Sequence, residues 1–525
     1  MPKYLKYFLL LTVFACGIWG ATKFMFNETY AEKALKLLNT LSGKELTRNN
    51  DTHRVKQAEL LKLYYEKYQR ATIAEAAEKA NTEKRMLLEM LRYADSLGLN
   101  AQDYHEKYLK NFDAQLNNAN YSYEENLLQS EIVFADAAIS FLHDAAYGKD
   151  IPGLEYNGIT QNIDSGRIAN ALQQVLATKQ WHKVLDTLEP QIPEYLTLKK
   201  HYNHLLTSLQ QNPTLDTMQC HSENPVLAQE KLHAIFSFAT TDTILSNHTF
   251  ATALKQFQKA IGIDTTGILD KKTIAALNVP LTVRVQQLKQ SLNCWRWTGR
   301  IAEKSFILIN IPAATLRIIQ RDSATETNMR VIVGKEQTRT PVFTSYISKI
   351  ITYPYWVPTY NIASKEILPK VKKDISYLEK NNFTVLDKKG REINPAEINW
   401  ATISPKNLPY TFRQGTGCDN SLGVMKFDLN SPFSIYLHDT NRRDLFSKNE
   451  RHLSHGCVRI EKPFLLANLL LGDTVNTTYL NECLKTEKPR EFKLIRKYPV
   501  LLFYMTADVN KQGQLQFFKD VYKKV

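Results

Sequence analysis

The strongest constraint on how this chain folds is a change of hydrophobic period near residue 300. From Ala31 to Ser237 the sequence is rich in Leu, Ala, Glu and Lys with few strand-like runs, so stacked helices are the simplest reading. From Phe306 onward the runs Phe306–Pro312, Thr315–Ile319, Met329–Val333 and Phe343–Thr352 are short, apolar or alternating, and separated by turn residues, which is the pattern of strands. The expected class is therefore multidomain α+β, with a helical scaffold before a β-rich domain. A length of 525 residues, several times the roughly 100–200 residues of one domain, agrees.

Local signals refine the division. Ser122-Tyr123-Glu124-Glu125 is a capping box, and it opens a helix with Leu127, Leu128, Ile132, Val133, Ala137 and Leu142 as its apolar face. The histidines of this half lie singly or at the spacing His201-x-x-His204; that pair, one turn apart with no carboxylate or cysteine nearby, could bind metal, but the simpler reading is surface histidines. Between about 241 and 278, Phe250, Ala253, Leu254, Phe257 and Ile261 fall at helical spacing, a turn follows around Gly267, and Lys272 to Leu277 forms a second short helix. Within the β-rich part, strands resume at Gly423–Asp428, Phe433–His438 and Pro499–Ala507. They are interrupted from Ile362 to Pro409 by a charged, helical insert whose Ile367, Val371 and Ile375 share a face. So long a connection reads as a mobile lid over a site or as surface decoration. The resulting division is 1–29 as leader or anchor, 30–238 as scaffold, 239–299 as a small helical module, and 300–525 as the β-rich domain with 362–409 as its lid.

The N-terminus is addressed to a membrane. Lys3 and Lys6 precede an uncharged run, Tyr7 to Thr22, with Phe8–Ala15 as its apolar centre. That run fits a signal peptide or an uncleaved anchor, and Val13-Phe14-Ala15-Cys16 also fits a lipoprotein processing site. Basic residues before the run place the rest of the chain on the far side of the membrane. Lys and Arg number 67 against 53 Asp and Glu, a net charge of +14, which suits nucleic acid, anionic lipid or an anionic wall polymer without choosing among them. Cys16, Cys220, Cys294, Cys418, Cys457 and Cys483 are too scattered for a disulfide scaffold, so one or two bridges are the most to expect.

The segment that carries chemistry is Ser434 to Glu461. His438 ends an alternating run, fifteen residues separate it from Ser454, and Ser454-His455-Gly456-Cys457-Val458-Arg459 follows. A cysteine thiol with the ordinary pKa of roughly 8.5 reacts slowly at neutral pH, so a nucleophilic cysteine needs a histidine and a cationic pocket. Both are present in this segment. Gly456 would let a substrate backbone approach, and N–H groups at the turn could receive an oxyanion. A zinc site from His438, His452, His455 and Cys457 is the competing reading. Tyr355 and Trp356 fit core packing or substrate contact, and Arg442 and Arg443 read as a solvated basic approach.

These residues resemble the L,D-transpeptidase family, whose pattern is a histidine, a spacer of about this length, and [Ser/Thr]-His-Gly-Cys. The segments MRVIVGKEQTRTPVF (329–343), YPYWVPTYNIASKEILP (353–369) and SLGVMKFDLNSPFSIYLHDT (421–440) are similar to its large envelope-anchored members. ALKQFQKAIGIDTTGILDKKTIAALN (253–278) resembles the peptidoglycan-binding module that accompanies them. The resemblance implies Cys457 as nucleophile and His438 as its base, with the Asp439 main-chain carbonyl orienting the ring. His455 is implied as a supporting residue and remains the rival base, and Gly456 belongs to the catalytic turn. Arg459 would bind a substrate carboxylate or brace the loop, and Ser454, Tyr436, Trp356 and Asn420 are implied as substrate-binding, although Cys418 departs from the family's text beside Asn420. The implied activity is crosslinking of peptidoglycan stem peptides through an acyl-enzyme. A carboxypeptidase using water and a non-catalytic wall-binding scaffold are the alternatives. The implied partners are donor and acceptor stem peptides, carbapenem-type β-lactams as inhibitors, and a membrane through the N-terminus. No nucleic acid, metal or cofactor is expected, and the implied location is the periplasmic side of the cell envelope.

Overall fold

The computed structural model describes residues 28–40, 46–48, 51–53, 55–73, 77–111, 122–236, 247–301, 305–320, 325–472 and 477–524. The N-terminal apolar run and Cys16 lie outside them. Among the described residues no helix is long and apolar enough to cross a membrane. The chain divides into two compact units, one comprising residues up to Lys149, Ile163–Asn203 and Trp295–Gly299, the other Asp150–Asn162, His204–Cys294 and Arg300 onward.

The first unit is helical and is organised around helix Tyr123–Tyr147. Its capping box forms in both directions between Ser122 and Glu125. Leu127, Ile132, Val133, Ala137 and Leu142 are buried as expected, but so are Asn126, Ser130, Glu131 and Asp136, because neighbours cover this helix nearly all round. Its buried carboxylates bind chain segments that carry free amides. Glu131 accepts from the amides of Thr72 and Ile73 at 2.6 and 2.7 Å and from the Tyr65 hydroxyl at 2.9 Å. Asp136 accepts from the Lys56 and Gln57 amides and meets His105 Nε2 at 2.8 Å. His105 and His143 are therefore not surface residues. Each lies against a carboxylate, Asp136 and Asp144 respectively, and Asp136 is a long-range partner that no local sequence window contains.

In the second unit the small helical module is built as the spacing predicts, from helices Asn247–Ala260 and Lys271–Leu277. Gln258 ties them together. Its buried amide donates to Thr266 Oγ1, the Ile268 carbonyl and Thr273 Oγ1, and accepts the Gly267 amide.

The β-rich part forms one large sheet. Its strands are β1 (Leu154–Asn157), β2 (Ser305–Asn310), β3 (Thr315–Gln320), β4 (Thr325–Gly334), β5 (Val342–Thr352), β6 (Met425–Leu429), β7 (Leu437–His438), β8 (His452–Ser454), β9 (Val458–Ile460) and β10 (Arg490–Phe503). They run in the order β6-β7-β9-β4-β3-β2-β10-β5, and β5 pairs back onto β6, so eight strands close on themselves. Closure removes the exposed edges an open sheet would leave. Strand β2 is buried on both faces, as its unbroken apolar run requires, and β10 pairs with it in parallel through Val500–Phe503.

Several expected strands differ in the structure, and three differences bear on the sheet. β7 is two residues long rather than six, the chain bending through residues 431–434 before it reaches the sheet. β10 starts at Arg490, well before Pro499, with an irregularity between Lys493 and Tyr498. β1, four residues inside the expected helical half, pairs in parallel with the start of β5; it is too short to alter the period of its surroundings.

The insert carries the helices foreseen, among them Leu368–Lys373, and also a three-stranded antiparallel sheet of Phe383–Leu386, Glu392–Ile393 and Thr411–Gln414. Ile367, Leu368, Val371, Phe383, Trp400 and Phe412 belong to its own core. Its sheet extends past Pro409 to Gln414. Ile375 does not join the face of Ile367 and Val371 and is exposed, since the helix stops at Lys373 and Asp374 turns the chain by accepting the Ser376 amide. Cys418 and Cys483 form a disulfide, leaving Cys220, Cys294 and Cys457 as free thiols among the described residues.

Candidate active site

Cys457 stands at the start of β9, and the turn before it is fixed by hydrogen bonds on every side. Ser454 Oγ donates to the Cys457 carbonyl at 2.6 Å and accepts the Gly456 amide at 3.1 Å. Thr340 Oγ1 donates to the Gly456 carbonyl at 2.7 Å, and Thr338 Oγ1 to the Ser454 carbonyl at 3.0 Å. Gly456 has φ +116, a conformation that L side chains rarely adopt, and a Cβ there would lie 3.1 Å from Ile435 Cδ1. The glycine thus serves the turn. Its N–H is given to Ser454, so it is not an oxyanion donor in this geometry.

Parallel pairing of β7 with β9 sets Leu437 opposite Val458 and His438 opposite Arg459. Side chains of this strand pair open on a cleft of about 470 Å³ lined by Cys457, His438, Tyr436, His455, Ser454, Arg459 and Trp356. The opposite wall is the insert, through Ile362, Glu366, Ile367, Lys370, Tyr377 and Phe383. Seven of the ten residues singled out from sequence therefore meet in one place. Asp439, Gly456 and Asn420 do not line it.

Asn420 is a loop brace rather than a substrate ligand. It is buried, its amide donates to the Pro354 and Gly415 carbonyls at 3.1 and 2.6 Å, and its oxygen accepts the Leu422 amide at 2.7 Å. Ser454, although in the wall, has its hydroxyl engaged within the turn. The Asp439 carboxylate points away from the cleft into a clamp formed by the Val424 amide at 3.1 Å and Arg443 at 2.9 and 3.0 Å. Gly423, at φ +61, makes room for it, since a Cβ there would sit 2.2 Å from Asp439 Oδ2. Arg443 is accordingly a structural partner of the histidine strand and not merely part of a solvated approach.

The electrostatics give a neutral resting pair. Burial pushes the His438 pKa down to about 3, helped by the nearby Arg459 and Lys426 cations, while the Asp439 main chain acts the other way by favouring the protonated ring. That influence stops short of a well-formed bond, because Nδ1 is buried without a partner of hydrogen-bond geometry. Burial also raises the Cys457 thiol above its ordinary value, against the lowering effects of Tyr436, Lys426 and Arg459. Its Sγ lies 3.5 Å from the Ser434 carbonyl. At neutral pH the ring is a free base and the sulfur a thiol. Arg459, largely buried, has its own pKa lowered by desolvation, its Nε is unpartnered, and it forms no ion pair with a carboxylate among the described residues.

Sequence reasoning gave no role to Thr340 or Glu366 and did not foresee the contact of Arg443 with Asp439. Thr340 lies in a loop with no chemical motif of its own, and only the fold brings it to Gly456. Glu366 meets His455 Nε2 at 2.6 Å from 89 residues away. The competing zinc arrangement does not form: no three His, Cys, Asp or Glu side chains gather into a metal site among the described residues, and His452 Nε2 turns to the Ile311 carbonyl at 3.1 Å.

Comparison with known proteins places families on this geometry. Residues 304–477 match the L,D-transpeptidase catalytic domain, residues 58–201 a scaffold domain, and residues 221–277 the "Putative peptidoglycan binding domain". A curated relative, "Putative L,D-transpeptidase" of Haemophilus influenzae, is 38% identical over 217 residues, 41% of this chain and 44% of its own. The match thus spans less than half the length of that relative. Among solved structures, an L,D-transpeptidase from Mycobacterium smegmatis is 13% identical over 38% of this chain and 58% of its own. One from Stackebrandtia nassauensis is 14% identical over 52% and 88%. Both superpose with a TM-score of 0.19, too low to carry an argument.

Proposed function

We propose that this chain, whose residues 304–477 are an L,D-transpeptidase catalytic domain, crosslinks peptidoglycan stem peptides through a thioester on Cys457. The observation that carries the reading is the cleft itself, where a free thiol, a neutral buried imidazole and an arginine without a carboxylate partner among the described residues face one space.

In the first half-reaction His438 takes the Cys457 proton as sulfur attacks the carbonyl of the donor's diamino acid. The proton then passes to the departing nitrogen, so that the terminal D-Ala leaves as an amine and a thioester remains. A neutral pair suits this step, because the proton moves only as the carbon–sulfur bond forms and no charge is stored in a buried site beforehand. Arg459 binds a donor carboxylate, the charge-assisted partner that no described residue supplies. In the second half-reaction an acceptor amine attacks the thioester, its proton returns to sulfur through His438, and the amide crosslink is released. The insert encloses the cleft and limits water, which favours an amine acceptor over hydrolysis.

The peptidoglycan-binding module is proposed to hold the chain on its polymer, and the N-terminal segment to hold it at the membrane on the periplasmic side. The deciding experiment is intact-protein and peptide mass spectrometry after exposure to a carbapenem. A single adduct on the peptide that contains Cys457 is expected. No adduct there would leave a wall-binding scaffold as the function.

A further inference from the structure

Two histidines flank the nucleophile, and the structure gives them opposite surroundings. His438 is buried, and the charges of Arg459 and Lys426 disfavour its protonation. His455 is about one third exposed, lies in the wall of the same cleft, and has Nε2 at 2.6 Å from Glu366 Oε1 of the insert.

The chemistry of the second substrate makes that difference matter. An acceptor primary amine arrives as an ammonium at neutral pH, its pKa being about 10 when unperturbed. It must be held as a cation and then lose a proton before it can attack. At the His438 end the cleft is lined by Arg459, which has no carboxylate partner among the described residues, and this charge disfavours a second cation there. Two carboxylates line the cleft, Glu366 and Asp419. Asp419 is tied to Lys485 at 2.6 Å, whereas Glu366 has no lysine or arginine partner among the described residues and remains about half exposed. Glu366 also sits on a single π turn, Ala363–Ile367, a local irregularity often found at functional sites.

We infer that Glu366 and His455 form the acceptor half of the site: Glu366 binds the acceptor ammonium, and His455 takes its first proton. The inference rests on the acyl-enzyme reading above and adds the two residues that receive its acceptor amine. The balance is direct. The ammonium gives one proton to His455; the neutral amine forms the carbon–nitrogen bond; its second proton passes through His438 to sulfur as the carbon–sulfur bond breaks. Amide, thiol and one proton released from His455 to solvent are the products.

The test compares two nucleophiles on the preformed acyl-enzyme of the full chain: the cationic side-chain amine of a stem tetrapeptide, and hydroxylamine, which is neutral at pH 7 and needs no ammonium site. Glu366→Gln is expected to slow aminolysis by the tetrapeptide at least tenfold, chiefly through the acceptor KM, and to leave both hydroxylaminolysis and Cys457 acylation by a carbapenem within about twofold. Glu366→Asp should restore part of the loss. Equal slowing of both nucleophiles would make Glu366 a mere fastener of the insert, and no slowing of either would also overturn the inference. Failure of the wild-type chain to form an acyl-enzyme would refute the proposed function instead, a result seen before any acceptor is added.

Discussion

The Thr340 hydroxyl joins two loops in the immediate support of the nucleophile: it donates to the Gly456 carbonyl at 2.7 Å and accepts the Gly334 amide at 2.9 Å. The Gly334 carbonyl in turn accepts the Tyr522 hydroxyl at 2.5 Å, and that hydroxyl accepts the Thr340 amide at 3.1 Å. A side chain near the C-terminus thus helps hold the turn that presents Cys457. Gly334 is required where these loops cross, because a Cβ there would lie 2.1 Å from the Thr338 carbonyl oxygen.

Thr340→Val keeps the shape and removes the hydroxyl, leaving a buried amide and a carbonyl without a partner. The loss in stability should be about 2 kcal/mol, within the usual cost of stranding buried polar groups. Acylation of Cys457 should fall about tenfold or more through kcat with little change in donor KM, because the turn is mispositioned while the cleft remains. Chemical unfolding and single-turnover acylation measure the two effects; a change confined to KM would show that Thr340 shapes the binding surface instead.

His438 predicts a pH dependence with a definite sign. Its folded pKa of about 3 lies below the ordinary histidine value of about 6.5, so between those values the unfolded chain binds the extra proton. This group's contribution to stability is therefore complete above pH 6.5 and declines as pH falls toward 3. His438→Asn should flatten the unfolding free energy over that window, and its acylation rate should drop by several orders of magnitude at every pH. In the wild type, acylation should persist below pH 6 without the acid limb of an ordinary imidazole. A limb centred near 6.5 that vanishes in His438→Asn would contradict the buried, neutral ring.

The Cys418–Cys483 disulfide spans 65 residues and fastens the loop that leads to Asp419, Ser421 and Leu422 in the cleft wall. Thr416 Oγ1 reinforces the junction by donating to the Lys485 carbonyl at 2.7 Å. Cys418→Ser together with Cys483→Ser should lower stability by about 2–4 kcal/mol, the common range for such crosslinks, and leave the Cys457 adduct intact. Single changes of Cys220 and Cys294, both free and buried, touch no part of the cleft and should leave acylation within about twofold. Thermal unfolding under oxidising and reducing conditions checks the pair, and equal midpoints would remove its structural role.

What was legible in the sequence was local. The capping box at Ser122, the turn at Gly267, the apolar run of β2 and the His438 to Cys457 spacing all act within one element or one short segment. What was not legible depends on contacts between distant segments: β1 completing β5, Glu366 reaching His455, Arg443 clamping Asp439, and Asn420 turning its amide inward instead of toward the cleft. The insert shows both cases. Ile367 and Val371 mark its helix correctly, whereas its sheet depends on Thr411–Gln414 returning to pair with Phe383–Leu386.

Arg459 should separate function from stability. Its guanidinium is largely buried without a carboxylate to meet it among the described residues, an arrangement that costs folding free energy and is useful only if a substrate anion completes it. Arg459→Met keeps most of the side-chain bulk and removes the charge. The variant should be at least as stable as the wild type in thermal unfolding, while kcat/KM for a carboxylate-bearing donor falls roughly 10- to 150-fold, the worth of a charge-assisted hydrogen bond of about 1.5–3 kcal/mol. Most of the loss should appear in donor KM, since the same contact is made before and during attack. A marked fall in stability with donor binding preserved would show instead that Arg459 braces β9 against β7, and the donor carboxylate would then have to be held elsewhere in the cleft.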